Sequence, residues 1–158
     1  MLFLLFQLGR QRCALEAERV VEVVPLAAIT PIPRAPKGVA GLFNYRGRPV
    51  PAVDLSELTL GRPSAERLST RIMVVRCPDR RGTSRWLGLI AEHATEMVRK
   101  EPAEFVEAGG SRASEICLGP VLMDAQGSIQ RIDERRLISE SLLALLFPET
   151  AEAAGGEA

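Results

Sequence analysis

The stretch Gly41-Leu42-Phe43-Asn44-Tyr45-Arg46-Gly47-Arg48-Pro49-Val50-Pro51-Ala52-Val53-Asp54-Leu55 decides how this chain is read. Gly41 and Gly47 bracket a strand-like run and permit positive φ or a close approach of another backbone. Residues 48–55 return as the partner strand. Pro49 and Pro51 lack the N–H that a sheet ladder needs, so part of that strand is expected at a sheet edge. Asp54, with Glu57 three residues on, has the form of a helix start: an N-cap acceptor followed by a carboxylate.

Strands also dominate on either side. Upstream, residues 2–8 form an apolar run that reads as a buried first strand. A polar gap at 9–12 then leads to Cys13-Ala14-Leu15, a hairpin pattern. Residues 16–19 suit one helical turn. Val20-Val21-Glu22-Val23-Val24 places four β-branched residues around one carboxylate, a strand signature. Pro31, Pro33 and Pro36 keep 29–36 out of helix. Downstream, the polar segment 61–70 is the expected internal boundary. Strands are predicted at 71–77, 85–90 and, as a separate short one, 94–99. Residues 102–110 read as an acidic, loose segment. A hairpin follows, 115–123 with 128–132, turning at Asp124-Ala125-Gln126-Gly127. Asp133 is placed to cap one helical region that runs through Phe147 with an apolar face. Residues 148–158, rich in Ala, Glu and Gly, have the composition of a disordered tail. The pattern is all-β, with short helices and a C-terminal helix.

Composition excludes several functions. Twenty basic residues cancel twenty acidic ones, and aromatics are only 4%, so neither a net field nor stacking platforms favour nucleic acid. Cys13, Cys77 and Cys117 form no CxxC pair and suit reduced thiols in a cytoplasm. The opening Met1-Leu2-Phe3-Leu4-Leu5-Phe6 lacks the basic flank and the length of a signal peptide, and no run reaches the roughly 20 apolar residues of a membrane span. Neither a P-loop, a dinucleotide glycine pattern nor a GxSxG elbow occurs. His93 has no second ligand at metal spacing, so no metal or cofactor is expected. A dyad of His93 with one of the cysteines, in a small enzyme, stays as an alternative. An oligonucleotide-binding β-barrel is another.

Two charged residues interrupt apolar strands. Glu22, if it shares a strand face with Val20, forms a small mixed patch, or else it is an ordinary solvent-facing residue. Arg46 offers a guanidinium that either fixes its own hairpin through an ion pair or meets a partner carboxylate.

With Gly41, Asn44, Arg46, Gly47, Pro51, Asp54 and Leu55 in place after the Val20–Glu22 strand and a proline-rich connection, the chain resembles the CheW-like domain. The likeness extends over residues 1–147. Departures are Glu92, where the family usually has aspartate, His93-Ala94, where a valine is more common, and Gln130-Arg131 in a normally apolar strand. The resemblance implies two five-stranded, SH3-like barrels packed side by side. It also implies a non-catalytic adaptor that joins the cytoplasmic tip of a methyl-accepting chemoreceptor to the CheW-like regulatory domain of a CheA-type histidine kinase, without membrane insertion of its own. Val20, Glu22 and Arg46 match partner-coupling positions. Gly41, Asn44, Gly47 and Gly88 belong to the same expected partner-binding set, the glycines shaping the backbone there. The opening apolar run is also similar to accessory homologues in Wsp-type surface-sensing systems.

Overall fold

The apolar run at the start of the chain is buried on both faces. Phe3 and Leu5 enter one hydrophobic core, while Leu4, Phe6 and Leu8 enter another. This is why β1 (Leu2–Leu8) reads as a continuous apolar segment rather than an alternating one. The structure is a computed structural model and describes residues 1–79, 81–107 and 119–148. The expectations for Cys117, for residues 108–110 and 115–118, and for the tail from 149 onward lie outside those residues.

β1 pairs antiparallel with β2 (Gln11–Glu16), and one 3₁₀ turn at Ala17–Arg19 carries the chain into β3 (Val20–Pro25). β4 (Val39–Tyr45) and β5 (Arg48–Asp54) form the central hairpin, and helix α1 (Leu55–Leu60) follows. The Asp54 carboxylate accepts from the N–H groups of Ser56 and Glu57, the cap its spacing predicts. β6 (Arg71–Pro78) lies between β3 and β7 (Ser84–Arg99). β8 (Val121–Asp124) and β9 (Gly127–Arg131) make the last hairpin, and β9 runs parallel to β2. Pro49 and Pro51 sit where β5 is paired on one side only, since β7 joins it from Ala52 to Asp54.

Two five-stranded lobes result, and they share β7. Its first half pairs with β6 and β5; its second half pairs with β1. One lobe holds β3, β4, β5, β6 and the start of β7, around Phe43, Tyr45, Ile72, Val74 and Ile90. The other holds β1, β2, β8, β9 and the end of β7, around Phe3, Leu5, Phe105 and Ile129. The largest cluster lies between them and draws on both, including Phe6, Leu15, Met73, Val75, Leu87 and Leu89. No helix among the described residues is long and apolar enough to cross a membrane.

Three expectations are corrected. Residues 85–90 and 94–99 are one 16-residue strand, bent where it changes lobes at His93, whose φ is +53°. The segment 61–70 joins α1 to β6 within one lobe, so the lobes are interleaved in sequence, not consecutive. The final helical region is two helices, α2 (Glu134–Leu137) and α3 (Glu140–Leu146). Between them Ile138 is extended and buried in the shared core, and Ser139 caps α3 anew through the Leu142 N–H. Arg131 fits a normally apolar strand because its guanidinium lies over the rings of Phe3 and Phe105 while pairing with Glu16.

Candidate functional site: the ledge at the central hairpin

The turn that links β4 to β5 is two residues long, Arg46 at φ +53° and Gly47 at φ +82°, flanked by the Tyr45–Arg48 pair. Two consecutive positive φ values match the right-handed twist of the strands, as in a type I′ turn. The side-chain oxygen of Asn44 accepts from the Gly47 N–H at 2.8 Å and holds the turn closed. Asn44, Arg46 and Gly47 are all exposed at this tip.

Glu22 reaches the tip from β3. Arg46 donates to its Oε1 at 3.1 Å, and the buried Tyr45 hydroxyl donates to the same oxygen at 2.5 Å. The two Arg46 readings therefore meet in one geometry: the guanidinium is ion-paired, yet 61% of its side chain is open to solvent, with Glu22 at 44%. The Tyr45 hydroxyl, followed by Arg46, holds the Glu22 carboxyl below the ordinary carboxylate range. Burial and the hydrogen bond to Glu22 push the Tyr45 phenol up. The Tyr45 ring meets Trp86 edge to face at 4.8 Å, and the Arg46 guanidinium lies over both rings, 5.1 Å and 6.0 Å away.

The other expected positions separate. Val20 and Glu22 do not share a face. A bulge at Val21 shifts the register, so Val20 packs with Val23 against the inter-lobe core, whereas Val21 and Val24 face the core that holds Tyr45. Gly41 and Gly88 are buried. A Cβ on Gly41 would stand 2.1 Å from the Thr30 carbonyl oxygen, and one on Gly88 would stand 2.5 Å from the Phe43 ring. They shape the lobe beneath the ledge. Sequence reading missed Tyr45 and Trp86. Tyr45 is adjacent to Arg46, but nothing local links it to Glu22, 23 positions away, or to Trp86.

His93 is exposed at the bend of β7, whereas Cys13 and Cys77 are buried. Burial raises the Cys13 thiol to about 12, and burial first, then Glu134, raises Cys77 to about 11. At neutral pH both described thiols are held in the protonated form, against the thiolate that a Cys–His enzyme requires.

The CheW-like domain profile matches residues 2–141. The chain belongs to the CheW-like domain family. It is 33% identical over 74 residues to the chemotaxis protein CheW of Thermotoga maritima, a match covering 47% of this chain and 48% of that protein. It is 36% identical over 53 residues to FrzA of Myxococcus xanthus, covering 34% of this chain and 33% of FrzA. The chain thus spans about half the length of the first of these curated relatives and a third of the second. The crystal structure of the scaffolding protein TtCheW from Thermoanaerobacter tengcongensis superposes with a TM-score of 0.74 over 87% of both chains at 21% identity. That likeness shows that this CheW-like chain shares the TtCheW fold.

Proposed function

We propose that this CheW-like chain is a non-catalytic scaffold of chemotaxis-type signalling. It couples the cytoplasmic tip of a methyl-accepting receptor to the regulatory domain of a CheA-type histidine kinase. Residues 1–147 act as one CheW-like domain, cytoplasmic and held at receptor arrays through those partners. The observation that carries the reading is the exposed Glu22–Arg46 pair, built from the family's motif residues and set on a rigid two-residue turn. The two raised thiols support it, since a buried, protonated sulfur is a poor nucleophile.

A scaffold without chemistry controls a kinase only through differential affinity for the kinase's active and inactive arrangements. Two lobes with different outer faces permit head-to-tail contacts with homologous domains, which close into rings where the rotation allows. The test is Arg46→Ala, assayed for receptor-dependent kinase phosphorylation and for thermal unfolding. Loss of receptor control with an unfolding midpoint near the parent's is expected. Full control retained by the variant, or loss of fold, would overturn the assignment.

A further inference from the structure

Beside the ledge, an open groove of about 790 Å³ runs between the ends of the two hairpins and the end of α3. Its apolar lining includes Trp86, Pro49, Leu146 and Phe147, and Arg46, Arg48 and Arg76 line its rim alongside Arg85, which is ion-paired with Asp79. Arg48 lies over the Trp86 ring at 5.8 Å, and Arg76 is directly opposite Trp86 in the β6–β7 register. Among the described residues neither Arg48 nor Arg76 has a carboxylate partner, and Arg46 already shares Glu22 with Tyr45. In a chain whose formal charge is zero, this is a local excess of cations around an apolar trough.

We propose that this groove docks an acidic, apolar-anchored segment of a protein partner. The anchor lies between Trp86 and the end of α3, and the segment's carboxylates meet Arg48 and Arg76. Arginine suits this role because its planar fork binds carboxylates in pairs and tolerates an aromatic face at its back. The rim sets preference and encounter rate, whereas the apolar trough holds the segment once seated. A protein segment fits better than nucleic acid, since single strands need a series of stacking platforms along a basic track and this groove offers two half-buried rings, Trp86 and Phe147. The inference goes beyond receptor–kinase coupling and does not depend on it, because Arg48 and Arg76 lie outside the Glu22–Arg46 pair.

Trp86 is the chain's single tryptophan, so its emission reports occupancy directly. The full chain is titrated with two synthetic peptides of identical leucine positions, one with glutamate and one with lysine at the remaining sites. The glutamate peptide is expected to shift Trp86 emission and to bind tighter by about tenfold or more, with the gap closing at high salt. The double variant R48E/R76E reverses the preference, while R10E, on the other lobe, leaves it unchanged. Circular dichroism confirms that both variants are folded, and R48Q/R76Q replaces the double variant if charge reversal prevents folding; it abolishes the preference. Equal affinity for the two peptides, or a preference that survives R48Q/R76Q, would overturn the proposal. So would tighter binding of a single-stranded oligonucleotide. Binding of the glutamate peptide seen only after removal of residues 149–158, which carry Glu149, Glu152 and Glu157, would assign the groove in the full chain to those residues and overturn the proposal. Receptor-dependent kinase control is scored separately for R46A, so either reading can fail alone.

Discussion

Glu22 carries two donors on one oxygen, and the buried one dominates. Tyr45→Phe keeps the ring against Trp86 but removes the hydroxyl that pulls the Glu22 carboxyl down. The Glu22 titration midpoint therefore moves up toward the ordinary carboxylate value in the variant, readable by carbon-detected NMR. The sign has a consequence for folding. A carboxyl depressed in the folded chain contributes stability above its unfolded pKa and loses it as pH falls through the folded one. Tyr45→Phe reduces that acid dependence. Sequence supplied Glu22 and Arg46 by their position in the motif and left open whether Arg46 served its own hairpin or a partner. It could not supply the phenol, because a contact spanning 23 positions depends on how β3 and β4 are brought together.

Elements were legible wherever one local rule governed them. β-branched runs became strands, Asp54 capped its helix, and the Arg46-Gly47 hairpin closed in the register its glycine allows. They were misread where tertiary contact overrode local pattern. The bend in β7 rests on His93 at φ +53°, a conformation that costs an L-residue roughly 1–2 kcal/mol unless its side chain compensates. His93→Gly is expected to change stability by less than about 1 kcal/mol, whereas β-branched His93→Ile loses about 1–2 kcal/mol, both measured by urea unfolding. The β8–β9 hairpin is clamped to β2 by Arg12, which donates twice to Asp124 at 2.9 Å. That guanidinium, then the Gln126 N–H, holds the Asp124 carboxyl well below its usual range. Its stabilisation is thus complete above the unfolded value, near 3.9, and fades below it. Hydrogen exchange of β8 and β9 amides is expected to accelerate as pH falls through that range, beyond the intrinsic pH effect, and Asp124→Asn removes the excess.

The whole molecule is held by what crosses between its lobes. Arg19, in the 3₁₀ turn where the chain first changes lobe, donates from Nε at 3.0 Å and from its terminal nitrogen at 2.5 Å to Glu134. Glu134 is 1% exposed, so Arg19→Ala leaves a buried carboxylate without its partner. A loss of about 3 kcal/mol is expected by denaturant titration, with much of it restored in Arg19→Ala/Glu134→Gln, since the second change removes the stranded charge. Local chemistry in the sequence by itself determined the strand-rich class, the central hairpin and its cap. Propensity, proline, glycine and alternation act within a few residues, so those features are written in short windows. Only the tertiary structure decided that the lobes interleave, that β7 serves both, that Val20 turns away from Glu22, and that arginines from two hairpins ring one groove. Each of those depends on packing two faces of the same strands into different cores, a long-range condition that no short window contains.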